Sequence, residues 1–136
     1  MKVIKWQLVW WVEQDEVNGN WWLGLGKQDT TIGFWPSRIF NGLAEYGNYI
    51  ECGGETYSPP GSVEEPPMGT GERVLGRGSV QWDALCSNFV TVNQDFKIVD
   101  VENTVEFSDS DKYDVIDIGH EIKDLGHAIF FGGPGQ

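Results

Sequence analysis

The stretch Asn18-Gly19-Asn20-Trp21-Trp22-Leu23-Gly24-Leu25-Gly26 (NGNWWLGLG) decides the class of fold. Asn18, Gly19 and Asn20 are turn residues. After them Trp21, Leu23 and Leu25 alternate with Trp22 and two glycines, the period of two that marks a strand. Gly24 and Gly26 leave room for a close neighbour. Their GLG is followed neither by the third glycine nor by the helix of a dinucleotide site, so it reads as packing. Upstream, Val3 to Glu13 places Ile4, Trp6, Leu8 and Trp10 on one side and Val3, Lys5, Gln7, Val9 and Trp11 on the other, the first strand of a hairpin. Downstream, Thr30 to Trp35 adds a third strand to the meander.

The rest of the chain agrees with an antiparallel, all-β fold. Seven Trp, seven Phe and four Tyr are set among 18 Gly and 6 Pro, a mixture suited to short strands and turns. Further strands are expected at Tyr49 to Tyr57, Ser79 to Trp82, Phe89 to Val92, Phe96 to Val101, Tyr113 to Ile118 and His127 to Phe131. One short helix is expected near residues 36–46: Pro36 suits a first helical turn, and Ile39, Phe40 and Leu43 form an apolar stripe at helical spacing. Residues 58–71 hold Pro59, Pro60, Pro66 and Pro67 and read as a Pro/Gly-rich surface loop; Glu102 to Lys112 reads as an exposed acidic connection. No repeat and no clear boundary divides residues 1–136, and 136 residues suffice for one core.

Nine basic against 21 acidic residues give a formal net charge of -12, which leaves no source for phosphate neutralisation; nucleic acid is not an expected partner. An anionic membrane surface would repel the chain, and no apolar run reaches the roughly 18 residues that span a bilayer. The amino-terminal segment has too short an apolar run for a secretory signal, so none is visible. Cys52 and Cys86 are too few to define a disulfide framework, and the sequence leaves their pairing open.

Ile50-Glu51-Cys52-Gly53-Gly54-Glu55-Thr56 is the segment richest in chemistry. On a strand Glu51, Gly53 and Glu55 share a face, and Gly53 leaves that face open between two carboxylates. At full extension they stand about 13 Å apart, beyond the ~5 to 9.5 Å over which paired carboxyls of known hydrolases share one bond. Unless a bulge at Gly53-Gly54 shortens that distance, a catalytic partner for either is expected from another strand, and a plain solvated acidic face is the competing reading. His120, Glu121 and His127 (HEIKDLGH) lack the spacing that sets two histidines on one helical face, so no metal and no cofactor is expected. His127, ahead of the aromatic run AIFF, reads as a partly buried residue making ordinary hydrogen bonds. Trp10, Trp11, Trp21, Trp22, Trp35 and Trp82 could in part form a sugar-stacking surface, although aromatic strand residues more often pack in a core.

Taken in order, Asn18 to Gly26, Ile32 to Phe40 (IGFWPSRIF), Ile50 to Glu55 (IECGGE), Met68 to Gly71 (MGTG), Phe89 to Val99 and Gly126 to Gly135 (GHAIFFGGPG) resemble the carboxy-terminal half of the neprosin domain of plants. The resemblance covers nearly the whole chain. It implies a β-sandwich, here a partial one, a secreted protein, and proline-directed peptide hydrolysis by two glutamates without a metal. One catalytic glutamate carries over to Glu55, with Glu51 as runner-up; the other belongs to a strand of the family's preceding half. The substrate implied is a peptide or protein containing proline. The resemblance also implies a cysteine close before Tyr113-Asp114, paired with one beyond GGPG, where this chain has Lys112 and runs only to Gln136. Cys52 stands where relatives carry an aromatic residue, and Pro66 and Pro67 where they carry polar ones.

Ionised, one carboxylate activates water, while a protonated one donates to the leaving group; either role stays open for Glu55. With the second glutamate outside these residues, the chain alone is expected to be inactive. It would act with a partner chain, or self-associate through an open sheet edge or exposed apolar face. A catalytically dead remnant serving as a binding module and, less favoured, a carbohydrate-binding sandwich are the alternatives.

Overall fold

In the computed structural model, which describes residues 9–26, 30–74 and 84–136, one carboxylate fixes the first turn. Asp15 accepts hydrogen bonds from the backbone N–H of Val17 (3.1 Å), Asn18 (2.6 Å) and Asn20 (3.1 Å) and from the Trp22 indole (3.1 Å). These bonds, that of Asn18 foremost, hold its carboxyl below the usual carboxylate range. Gly19 closes the turn at φ +68°, a conformation that costs glycine little.

From this turn run β1 (Trp10–Gln14) and β2 (Trp21–Leu25), antiparallel, with β3 (Thr30–Trp35) on the other side of β2. Trp11 lies opposite Gly24, and its indole occupies the space a Cβ on Gly24 would need, which is the close neighbour the glycine makes room for. Trp22 and Phe34 pair across β2 and β3 with ring centroids 4.8 Å apart. Trp10, Val12 and Trp35 lie on one face of this sheet and remain exposed, Trp10 at 61%. Trp11, Trp21 and Trp22 are half-buried, so the described tryptophans do not form a closed core.

The short helix expected near residues 36–46 is reduced to one turn. A single 3-10 turn spans Ser37–Ile39, with Pro36 extended before it and Phe40 extended after it at φ -103°, ψ 151°. Two side chains take carbonyls of the following stretch: the Trp21 indole donates to Leu43 O (2.7 Å) and Gln14 Nε2 to Ala44 O (3.2 Å). None of the three residues of the 3-10 turn is buried, and Leu43 is exposed, so the apolar stripe has no core to repay helix nucleation.

The chain divides into two compact units, Met1–Ile50, just described, and Glu51–Gln136. The second contains β4 (Ala84–Cys86), β5 (Val90–Val92), β6 (Ile98–Asp100), β7 (Asp114–Gly119) and β8 (Ala128–Gly132). β8 is the middle strand of a sheet in the order β4-β8-β7, all antiparallel, and β5 and β6 form a separate hairpin. As the middle strand, β8 supplies Ala128 (0% exposed) and Phe130 (3%), which with Val74 make the core; Leu85, Ile116, Ile118, Ile122 and Leu125 pack against it. The fold is all-β, with three small antiparallel sheets among the described residues.

Two of the expected strands depart from the pattern. Tyr49 to Tyr57 is not a strand, and no ladder among the described strands includes it. Phe96 does not begin β6: it adopts φ +56° in the turn that Asn93 organises by accepting hydrogen bonds from the N–H of Asp95 and Lys97 (both 3.0 Å). The strand expected at Ser79 to Trp82, and residues 3–8 of the first strand, lie outside the described residues. Residues 58–71 contribute no strand beyond a bridge between Met68 and Gly133, whose N–H and C=O groups exchange hydrogen bonds of 2.9 and 3.1 Å.

Gly133 is also a position without room. A Cβ there would meet the Lys112 carbonyl and lie 2.8 Å from Tyr113 Cα, both backbone atoms that yield little. Gly133→Ala is therefore expected to destabilise the second unit by about 1–3 kcal/mol, the usual range for overpacking. Urea unfolding followed by fluorescence measures it; an unchanged midpoint would show that the ending is looser than this.

Candidate functional site

Residues 51–57 form no strand, and their exposure does not alternate strictly: Glu51, Gly53, Gly54, Glu55 and Tyr57 are exposed, whereas Cys52 and Thr56 are half-buried. Three features anchor the inward side. Cys52 and Cys86 form a disulfide with Cα atoms 6.6 Å apart, tying the segment to β4. Gly54 lies beneath Met68 and Phe131, where Met68 Sδ occupies the space of a Cβ. Thr56 donates through Oγ1 to the Tyr113 hydroxyl (3.3 Å), which donates to Pro66 O (2.8 Å).

IECGGE, MGTG and the aromatic-GGPG ending, far apart in sequence, therefore meet in one place. Glu55 is exposed on this anchored segment, and a Cβ on Gly53 would meet nothing within 4 Å. Glu51 is likewise exposed and has an interaction partner. Close by in the chain, Tyr57, Pro59, Glu64, Glu65, Pro66 and Pro67 line a shallow pocket. Lys112, at the position where the resemblance implies a cysteine, pairs with Glu65 at 3.6 Å, and Ser110 donates to the same carboxylate (3.1 Å).

A second cluster of titratable groups lies where β6, β7 and β8 approach. His127, with a side chain 8% exposed, contacts a carboxylate through each ring nitrogen: Nδ1 to Asp100 Oδ1 at 2.8 Å, and Nε2 to Asp117 at 3.0 and 3.1 Å. Asp100 reaches His120 Nε2 at 2.7 Å with its other oxygen. Burial works against an imidazolium at His127, but hydrogen bonds to Asp117 and Asp100 outweigh it and raise its pKa above the ordinary histidine value. The Asp100 carboxyl is lowered, chiefly by its hydrogen bond with His120. For Asp117 desolvation is the largest influence and acts upward; hydrogen bonds from Thr104, the Gly119 N–H and His127 together overcome it, so its carboxyl is also lowered.

His127, expected as a partly buried residue making ordinary hydrogen bonds, does make hydrogen bonds, but it is fully among the buried residues and both its partners are carboxylates. The aspartates around it were not singled out in the sequence, and no spacing could have shown them: Asp100 and His127 are 27 residues apart, on different sheets.

No solved structure matches the chain. The family model described as Neprosin, however, matches residues 2–134 and so spans both units and the segments that converge around Glu55; the chain belongs to the neprosin family.

Proposed function

We propose that this chain forms one side of the cleft of a glutamic peptidase that cleaves proline-containing peptides, with Glu55 as its catalytic carboxyl and Glu51 as the less favoured choice. The observation that carries the reading is the anchored segment itself: Glu55 and Gly53 face outward while Cys52 and Thr56 are held inward. An exposed carboxylate beside a bare glycine lets a peptide backbone approach closely. Hydrolysis needs one carboxyl to activate water and a second to protonate the leaving amine, and the resemblance assigns the second to strands of the preceding half of the family domain.

The reading also takes the protein to be secreted. Its test is turnover of a proline-containing peptide at mildly acidic pH, by the 136-residue chain and by a fusion carrying a family member's preceding half ahead of Met1. The unfused chain is expected to be inactive and the fusion active; robust cleavage by the unfused chain sinks the two-glutamate division.

A catalytically silent binding module is the second reading, and the pocket beside Tyr57, Pro59, Pro66 and Pro67 favours it. Tyr57 is 76% exposed and offers an aromatic face to a proline ring. If the fusion stays inactive while the chain binds the peptide, and Tyr57→Ala loses that binding, this second reading replaces the first.

A further inference from the structure

The geometry points to a zinc site formed by Asp100, His120 and His127, which clips the β5–β6 hairpin to the β4-β8-β7 sheet and is separate from the peptidase reading. The sequence argument against a metal concerned two histidines on one helix. Here the ligands come from a strand end (Asp100), the turn after β7 (His120) and the residue before β8 (His127). One ligand atom from each lies within 4.8 Å of the others.

Zinc held by nitrogen and oxygen at about 2.0–2.1 Å in a tetrahedron keeps its ligand atoms roughly 3.3 Å apart. The observed separations, 2.7 and 2.8 Å from the Asp100 oxygens to the two rings and 4.8 Å as the outer limit, bracket that value. Closing the widest separation from 4.8 Å to about 3.3 Å takes about 1.5 Å, shared between two side chains, and a fourth position would be left for water. Two imidazoles and one carboxylate suit zinc; calcium and magnesium prefer oxygen throughout.

Asp117 supplies a second, independent indication. It accepts from His127 Nε2 at 3.0 and 3.1 Å, so that once the Nδ1 proton now shared with Asp100 has left, the Nδ1 lone pair is the one free for the metal. A carboxylate on the far nitrogen of a histidine ligand is the usual way such a ring is oriented and made more basic. Asp117 is held in turn by Thr104, and its own N–H donates to Glu106 (2.7 Å). Binding would displace the protons now shared between Asp100 and the two rings, and zinc would offset part of the negative charge of Asp100 and Asp117.

The position explains what such a site would accomplish. Val90, Val92 and all three residues of β6 are exposed, so the hairpin buries little apolar surface of its own. β5 is approached through backbone hydrogen bonds from Asn88 to Leu125 (2.8 Å) and from Phe89 to His127 (3.0 Å), whereas Asp100 holds β6 through the two histidines. A metal at this junction would fix the hairpin where the core does not reach.

The experiment is calorimetric titration of zinc chloride into the chelator-treated full chain at pH 7.5, with the histidine ring signals followed by NMR. One zinc per chain, shifts in both His120 and His127, and a Kd in the micromolar range or below are expected. His120→Ala and Asp100→Asn should each weaken binding at least tenfold, and Asp117→Asn by about 10- to 100-fold at unchanged stoichiometry. His120 and Asp100 are exposed enough that their variants should fold, which circular dichroism checks. The absence of saturable binding overturns the site, as does binding that leaves the histidine signals in place or is indifferent to His120→Ala, since zinc would then be resting on surface carboxylates.

Discussion

In the active fusion, Glu55→Gln is expected to lower kcat by about 10²- to 10⁴-fold, the range attributable to one group of an acid–base pair. The amide keeps the shape of the carboxyl but can neither take a proton from water nor give one to the leaving nitrogen. Because Glu55 is exposed and its segment is held through Cys52, Gly54 and Thr56, the substitution should leave the unfolding midpoint where it was. A fall in kcat with unaltered stability therefore separates chemistry from folding. Glu51→Gln should be milder, raising KM more than it lowers kcat if that side chain only lines the approach to the bond. Reversed effects would move the catalytic role to Glu51, and full activity in both variants would remove this segment from the mechanism.

The elements legible in the sequence are those whose determinants are local. β2 and β3 follow from a period of two bounded by turn residues, and β3 takes the bounds Thr30 and Trp35 that the pattern gives. β8 is visible because a middle strand needs a continuous apolar run. What stayed hidden depends on distant partners. The stripe Ile39, Phe40 and Leu43 has helical spacing, yet Ile39 and Leu43 stay exposed, and no local pattern announces that the stripe finds no core to bury it. β4 is three residues long and exists because Ala84, Leu85 and Cys86 meet Phe131, Phe130 and Ile129.

The candidate site divides in the same way. Glu51, Gly53 and Glu55 are exposed, as an acidic strand face would be, but Gly54 between them is exposed as well and no pairing makes the segment a strand. The meeting of Asp100, Asp117, His120 and His127 comes from three strands converging, and residue spacing carries no trace of it. Family resemblance reached further than periodicity because it draws on segments whose contacts lie far apart in sequence. Gly54 under Met68 and Phe131, and Met68 bridged to Gly133, join three of the quoted segments directly.

Removing the Cys52–Cys86 disulfide should have the largest effect on stability of any single change in the second unit. The bond spans 34 residues of separation, and in the chain-entropy description a loop of that size confers about 4 kcal/mol by restricting the unfolded chain. The buried core of this unit is small, with Val74, Ala128 and Phe130 at its centre, and net stabilities of small domains are only about 5–15 kcal/mol. Cys52→Ser is thus expected to remove a large part of the total and to release residues 51–57 from β4, taking the Glu55 segment out of position. Alkylation under denaturing conditions, read by mass spectrometry, should find no free thiol in the untreated chain and two after reduction. Urea midpoints should then fall to the same value for the reduced chain and for Cys52→Ser. In the active fusion, Cys52→Ser should also lose turnover under conditions where the rest of the fold persists, because Gly54 and Thr56 alone would hold the segment. Free thiols in the untreated chain, or a midpoint indifferent to reductant, would show that the segment is anchored by packing and not by the disulfide.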